Sequence, residues 1–276
     1  MSREPEMTTS TDGIEREVVN PAVRNQLPPV LLVHGAWHAA WCWKAFATEL
    51  AEQGFEVHYF SLPGHGGSRL NKPKLNQYAL TDYVECLAAE IDRIQPKPIV
   101  IGHSMGGALL QIYLQTQQLP AAILMASIPT QGTLPLIMRI ALRFPLALLL
   151  AILRYKSEVI VGTPDRVRAL FYSPDNLIDV QEIQQRLGPE SMRILYPLMS
   201  PGTLKKIRPG TPVYVIAGGR DKITSVSEQR HLAEHLSADL MIVDGQAHCL
   251  MLEPKHQIVA RAIATWLQAK CIRKIG

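Results

Sequence analysis

Short runs of consecutive apolar residues alternate along this chain with longer segments in which apolar residues recur at helical spacing. The short runs predict buried strands at residues 29–34, 55–60, 98–102, 121–126, 212–217 and 240–243. The longer segments predict helices at residues 42–53, 78–95, 106–117 and 254–270. Strands that alternate with helices are typical of βαβ units. The pattern therefore predicts the α/β class, with a mainly parallel sheet that is flanked by helices.

Residues 129–208, here called the cap segment, break this alternation. The segment contains several prolines, several helical patterns and little strand signal. It follows one predicted strand and precedes another, so we expect a helical insertion folded over the carboxyl edge of the sheet. Ligands of open α/β sheets bind at that edge. The pattern thus divides the chain into a polar N-terminal extension at 1–25, an α/β core at 26–128 and 209–276, and the cap segment.

Composition and charge exclude several classes of partner. Hydrophobic residues make up 47% of the chain and charged residues 19%, which is enough apolar material for a sizeable core. The net charge of +4 is small and dispersed, so we expect no nucleic-acid binding. The four cysteines lack CxxC spacing, which predicts neither a zinc site nor a disulfide framework. The N-terminus lacks an apolar signal region and no apolar run is long enough to cross a bilayer, so we expect a cytoplasmic protein.

The candidate chemistry begins with the sequence GHSMG at residues 102–106. It fits the pattern G-x-S-x-G, follows a predicted strand and precedes a predicted helix, which is the context of a nucleophile elbow. On so tight a turn the serine hydroxyl lies clear of the sheet, at the positive end of a helix. Glycines on either side allow neighbouring backbones to approach closely. We therefore predict that Ser104 is a nucleophile.

A serine hydroxyl at neutral pH needs a base, and the base needs an acid that orients it. Asp221 and His248 each follow a predicted strand, at the same edge of the sheet as the elbow. The chain order Ser, Asp, His is the order of this type of hydrolase. We predict that His248 is the base and Asp221 the acid. Asp244 also follows a strand, but it lies so close to His248 in the chain that it is the weaker candidate.

Acyl transfer also requires two backbone N–H groups that stabilise the developing oxyanion. We expect one from Met105, directly after the nucleophile, and the other from Ala36, in the loop after the first predicted strand. Gly35 permits the backbone turn of that loop. We also place Trp37 and Leu250 in the substrate pocket, and we predict no metal site.

The sequence HGAWHAAWCW at residues 34–43, together with the elbow and the late Asp and His, resembles the α/β-hydrolase superfamily. Within it, the sequence is similar to the plant methylesterase and hydroxynitrile lyase branch. The resemblance covers residues 28–128 and 209–272 and does not extend to the cap segment. It implies an eight-stranded type of sheet, no cofactor, and hydrolysis of an ester through an acyl-enzyme. The lyases of that branch have threonine and lysine where this chain has Gly35 and Cys249, so the resemblance favours an esterase.

The turn at residues 61–68 also resembles a turn that is common in this superfamily. The usual form begins with aspartate, whereas Ser61 stands at that position here. We expect the turn to be structural, with His65 making local hydrogen bonds.

The cap segment suggests the kind of substrate, because residues 134–153 are mostly aliphatic and are interrupted by Arg139 and Arg143. One interpretation is a helix that packs one face on the core while its arginines face water. Another is a flexible lid over a pocket for a lipophilic small-molecule ester. A third adds transient contact between the cap segment and a membrane surface. A thioesterase or lysophospholipase, a lyase, and a non-catalytic small-molecule receptor on the same fold remain alternatives.

Overall fold

The computed structural model describes residues 8–9, 12–200 and 202–271. The strands are β1 (Thr8–Thr9), β2 (Glu15–Val19), β3 (Val30–Val33), β4 (Val57–Phe60), β5 (Ile99–His103), β6 (Ala122–Met125), β7 (Val213–Gly218) and β8 (Asp239–Val243). They form one eight-stranded sheet in the order β1-β2-β4-β3-β5-β6-β7-β8. All neighbours from β4 to β8 are parallel, and the pairs that β2 makes are antiparallel. The mainly parallel, eight-stranded α/β fold predicted from the sequence is confirmed.

Helices cover both faces of this sheet and fill the cap segment. The helices of the core are α1 (Lys44–Glu52), α2 (Leu80–Asp92), α3 (Met105–Leu114), α9 (Val226–Leu236) and α10 (His256–Cys271). Those of the cap segment are α4 (Leu134–Arg143), α5 (Pro145–Arg154), α6 (Pro164–Phe171), α7 (Val180–Arg186) and α8 (Met192–Met199). The predicted core strands and helices all occur, with ends that differ by a few residues.

The central strands are apolar because both faces of the sheet are covered. Every residue of β3, β5 and β6 is buried. Leu32 packs in the core that α1 and α10 form, whereas the preceding Leu31 packs in the core that α2, α3 and α9 form. Successive side chains of a strand point to opposite faces, so these runs carry the apolar surface for two separate cores.

Strand β2 lies within the segment that the sequence analysis described only as a polar extension. It pairs antiparallel with β4, and its residues are half-buried. The Tyr59 hydroxyl donates to a carboxylate oxygen of Glu17 over 2.7 Å. Because β2 is rich in charged residues, it carries no continuous apolar run, and the hydrophobic pattern did not identify it.

The cap segment leaves the sheet after β6 and returns before β7. Its helices α4, α5, α6 and α8 line a cavity together with Ser104 and His248. Ser104 follows β5 and His248 follows β8, so these residues lie at the carboxyl edge of the sheet. The cap segment therefore covers the edge at which the sequence places the chemistry.

The start of α3 packs against the end of β3 with no room for a side chain. A Cβ atom on Gly106 would lie 2.5 Å from the carbonyl oxygen of Val33 and 2.6 Å from that of His34. A Cβ atom on Gly102 would lie 2.5 Å from the carbonyl oxygen of Gly106. These distances are shorter than van der Waals contact, so the two glycines of the elbow are required by the close approach of three backbones.

We expect Gly106→Ala to reduce the free energy of unfolding by about 1–3 kcal/mol, because the added methyl group must displace backbone. Urea denaturation would measure this as a lower midpoint. Gly188→Ala is the matched control, since a Cβ there meets nothing within 4 Å. An equal loss in both variants would contradict the steric explanation.

Candidate active site

Ser104 has the strained backbone conformation that a nucleophile elbow requires. Its φ is 52° and its ψ is −114°, in a region that residues with a side chain rarely adopt. Its N–H donates to the carbonyl of Met125 over 3.0 Å, and its own carbonyl accepts from the N–H of Ile128 over 3.2 Å. These bonds hold the turn against the end of β6.

The loop after β3 passes directly against the nucleophile. A Cβ atom on Gly35 would lie 2.9 Å from Cβ of Ser104 and 2.9 Å from Nδ1 of His103. Ala36 and Met105, the predicted oxyanion donors, both line the cavity that contains Ser104. Met105 is the first residue of α3, where backbone N–H groups have no partner within the helix.

Asp221 and His248 are joined by a buried hydrogen bond, in which Nδ1 of His248 lies 2.8 Å from Oδ2 of Asp221. The other carboxylate oxygen accepts from the N–H groups of Ile223, over 2.7 Å, and Thr224, over 3.0 Å. The hydroxyl of Thr224 donates to Oδ2 over 2.8 Å. The carboxylate is thus held in one orientation, whereas Asp244 is exposed.

In the neutral ring, the bond to Asp221 places the proton on Nδ1 of His248, and Nε2 is then a hydrogen-bond acceptor. His248 lines the same cavity as Ser104. His103 donates from Nε2 to the backbone carbonyl of His248 over 3.1 Å. This bond connects the elbow to the loop that carries the predicted base.

The cavity between the sheet edge and the cap segment has a volume of about 230 Å³ and an aliphatic lining. Trp37, which the sequence places in the substrate pocket, lines this cavity and donates from Nε1 to the hydroxyl of Ser157 over 3.2 Å. Leu250, also placed in the pocket by the sequence analysis, is fully buried in the core and does not line the cavity. It lies in a short 3₁₀ helix whose apolar side chains pack inward, so proximity to His248 in the chain does not bring it to the cavity.

His38 is a site residue that the sequence analysis missed. Its Nδ1 lies 3.0 Å from the carbonyl of Ala36, and its Nε2 lies 3.6 Å from Sγ of Cys249. In the neutral ring, Nδ1–H donates to that carbonyl and Nε2 accepts from the thiol. His38 thereby fixes the peptide that follows Ala36, and its position two residues from Ala36 is the sequence signal that could have found it.

The turn at 61–68 is connected to the cap segment by a buried ion pair. Nε2 of His65 lies 3.1 Å from Oε2 of Glu190, and both side chains are fully buried. The other carboxylate oxygen accepts from the Tyr83 hydroxyl over 3.2 Å and from the N–H of Ser191 over 2.7 Å. The expected local bond also forms, from Nδ1 of His65 to the carbonyl of Pro63 over 3.2 Å.

Burial acts differently on the pKa values of the histidines around the site. It lowers the pKa of His38 to about 4, and it lowers those of His34 and His103 well below the ordinary value. Burial also opposes the charged form of His65, but the Glu190 carboxylate outweighs it and raises the pKa of His65. His34, His38 and His103 are therefore neutral at pH 7, and His65 is favoured in its charged form.

Ser61 stands where the usual form of the turn at 61–68 has an aspartate. The carboxylate that contacts this turn comes instead from Glu15 of β2. The Ser61 hydroxyl donates to Oε2 of Glu15, which also accepts from the N–H of Gly67 over 2.9 Å. The same hydroxyl accepts from the N–H of Ala40 over 2.8 Å. A serine and a distant glutamate together hold this turn.

Comparisons with known proteins agree with this fold. A family model described as "Alpha/beta hydrolase family" matches residues 30–261. The chain is similar to putative methylesterase 15, chloroplastic, of Arabidopsis thaliana, with 34% identity over 87 residues, 31% of this chain and 19% of that protein. It is also similar to methyl jasmonate esterase 1 of Vitis vinifera, with 32% identity over 87 residues, 31% of this chain and 33% of that protein.

These matches cover less than two thirds of either relative, so the chain spans only part of their lengths. Among solved structures, a monoacylglycerol lipase from Paleococcus ferrophilus superimposes with a TM-score of 0.67 and 21% identity. The superposition covers 93% of this chain and 99% of that one. At 21% sequence identity, this structural similarity shows a shared fold and nothing further about activity.

We expect acid to destabilise the protein through its buried neutral histidines. An unfolded histidine binds a proton below about pH 6.5, whereas folded His38 does so only near pH 4. Between these values the unfolded state binds more protons, so stability falls as the pH falls. His38→Gln should lose about 2 kcal/mol less than the wild type between about pH 7 and about pH 5. Urea denaturation at both pH values would measure this difference.

The exposed His231 provides the control for this experiment, as the variant His231→Gln. If this control reduced the acid sensitivity as much as His38→Gln does, burial of His38 would not be the cause.

Proposed function

The chain belongs to the alpha/beta hydrolase family, which its match over residues 30–261 shows, and we propose that it hydrolyses carboxylic esters through an acyl-enzyme. In this proposal Ser104 is the nucleophile, His248 the base and Asp221 the acid. The observation that carries it is the buried bond of 2.8 Å between His248 and Asp221, because His248 also lines the cavity that contains Ser104. The related methylesterases and the neighbouring monoacylglycerol lipase carry names of ester-cleaving enzymes.

The first half of the proposed reaction forms the acyl-enzyme. The Ser104 oxygen attacks the ester carbonyl carbon while Nε2 of His248 takes the hydroxyl proton. The carbonyl oxygen becomes an oxyanion and accepts hydrogen bonds from the N–H groups of Ala36 and Met105. When this intermediate collapses, the bond to the alcohol oxygen breaks, and His248 gives its proton to the leaving alcohol.

The second half releases the acid. A water molecule attacks the acyl carbon while Nε2 of His248 takes one of its protons, and a second oxyanion forms. Collapse of this intermediate breaks the bond to Ser104, whose oxygen recovers the proton from His248. In both halves the Asp221 carboxylate keeps the proton of His248 on Nδ1 and stabilises the imidazolium that forms.

The cavity supports a lipophilic ester as the substrate. Its lining away from Ser104 is aliphatic and comes mainly from the cap segment, with side chains such as Leu136, Ile140 and Leu148. Burying an apolar chain there contributes about 0.8 kcal/mol for each CH₂ group. We therefore place the acyl or alcohol chain beneath the cap segment and the ester carbonyl beside Ser104.

The structure around Gly35 and Cys249 gives no support to the lyase alternative, which would have threonine and lysine at these positions. A threonine in place of Gly35 would bring its Cβ to 2.9 Å from Cβ of Ser104. Cys249 is fully buried, and its thiol lies against His38 instead of facing the cavity. Both features favour hydrolysis over cleavage of a carbon–cyanide bond.

We expect a fluorophosphonate probe to label the wild-type protein and not Ser104→Ala, because the probe reacts only with an activated serine hydroxyl. Ser227→Ala, at an exposed serine of α9, is the matched control and should be labelled like the wild type. Intact mass spectrometry would measure the covalent adduct. Labelling of Ser104→Ala at the wild-type level would contradict the proposed nucleophile, as would an unlabelled wild type.

We expect kcat/KM for p-nitrophenyl esters to rise from acetate to medium-length acyl chains, by up to about fourfold for each CH₂ group that the cavity buries. Initial rates across the series would measure this preference. Ile140→Asn, which places an amide in the cavity lining, should flatten the rise and leave acetate hydrolysis less affected. A steep preference for acetate in the wild type would exclude a lipophilic substrate.

A further inference from the structure

Helices α4 and α5 present rows of large apolar side chains to solvent. The rows have helical spacing and consist of Leu134, Met138 and Leu142 on α4, and Leu146, Leu149 and Leu153 on α5. Leu142 is 86% exposed and Leu153 is 71% exposed. Large contiguous apolar patches are rare on soluble monomers and mark interaction sites. We call these two rows the outer apolar surface.

The opposite sides of the same two helices line the cavity, through residues that include Ile137 and Ile140 of α4 and Leu148 and Ala151 of α5. Each helix is therefore apolar on both sides. A helix that is apolar all round is normally buried all round. The inner sides of the two helices line the cavity and pack on the core. No described residue covers their outer sides, so we look for a partner outside the described chain.

Charge indicates the chemistry of that partner. Residues 134–156 contain four basic residues and no aspartate or glutamate. Arg139 pairs with Glu228 of α9 over 2.9 Å. The other three, Arg143, Arg154 and Lys156, are exposed and make no ion pair within the ranges that the structure describes. Unpaired cations beside an apolar surface favour a partner that is apolar and negatively charged.

The two helices have the composition of a membrane contact but not the geometry of a membrane span. Among the described residues no single helix is long and apolar enough to cross a bilayer, and α4 and α5 meet at a bend of 118°. Each has 10 residues, about half the number that a span requires. Helices that lie in the membrane interface bury an apolar side among the acyl chains and keep lysine and arginine near the headgroups.

We propose that the outer apolar surface, with Arg143, Arg154 and Lys156 at its border, docks on a bilayer that contains anionic phospholipid. This inference goes beyond ester hydrolysis, since the contact does not involve Ser104. A second copy of the chain fits less well, because a twofold interface places the same surface against itself. Such an interface would place three cations from each copy around it, and residues 134–156 supply no acidic residue to pair with them.

The test is co-sedimentation of the full chain, carrying Ser104→Ala to prevent turnover, with phospholipid vesicles. We expect binding to vesicles of phosphatidylcholine mixed with phosphatidylglycerol, and weaker binding to phosphatidylcholine alone. Binding to the mixed vesicles should weaken as the salt concentration rises, because salt screens the charged contribution.

Two variants divide the contact into its apolar and charged parts. Leu142→Ser combined with Leu153→Ser should weaken binding to the mixed vesicles by about tenfold or more, since two buried leucines are lost. Arg154→Glu should weaken it by about fivefold or more and should change binding to neutral vesicles little. The matched controls are Leu177→Ser, at a leucine of the cap segment that is 97% exposed, and Lys44→Glu, at an exposed lysine of α1. Neither control should weaken binding.

Three results would overturn the proposal. The first is a wild-type chain that does not sediment with the mixed vesicles. The second is an equal loss of binding in Leu177→Ser, which would show that the outer apolar surface has no special role. The third is a chain that self-associates without lipid and becomes monomeric in the double leucine variant, because a second copy would then be the occupant. Thermal unfolding of each variant would establish that it is folded.

Discussion

At the carboxyl ends of β3 and β5, the backbones of two strands and the first turn of α3 approach so closely that no side chain fits between them. Gly35, Gly102 and Gly106 stand at the contacts, and each would place a Cβ within 3 Å of a neighbouring atom. Because these close contacts hold the elbow in place, Ser104 keeps a strained backbone conformation that is rare for a residue with a side chain. The same close packing brings Ala36 and Met105 to one cavity. The backbone contacts that pack the sheet against α3 therefore also determine the geometry of the candidate site.

The elements that the sequence predicts well are those whose pattern follows from burial. Strands β3, β5 and β6 are buried on both faces, so their apolar runs are continuous, and GHSMG marks the turn between one of them and α3. The proximity of Asp221 and His248 could be predicted because parallel strands end at the same edge of the sheet, so residues that follow two such strands lie close together.

The rest of the site depends on contacts that chain order does not reveal. Glu190 contacts His65 from the cap segment, whose position over the sheet does not follow from its helical pattern. Glu15 contacts Ser61 from β2, a strand too charged to be recognised by its hydrophobic pattern. Leu250 illustrates the opposite case: it lies near His248 in the chain, but its side chain packs into the core and not in the cavity. The local pattern predicts which elements form, whereas the long-range polar contacts must be seen in three dimensions.

The buried pair of His65 and Glu190 also determines how the cap segment is attached to the core. If either side chain lost its partner while it stayed buried, a charge without a counter-charge would remain inside the protein, which costs about 3–5 kcal/mol. Helix α8, which follows Glu190, is thus held to the core, while α5 at the other side packs through aliphatic contacts. The cap segment is therefore attached in two different ways. Near α8 the attachment is a buried contact between matched polar groups, whereas along α5 it is apolar contact, which depends on buried area and not on matched charges.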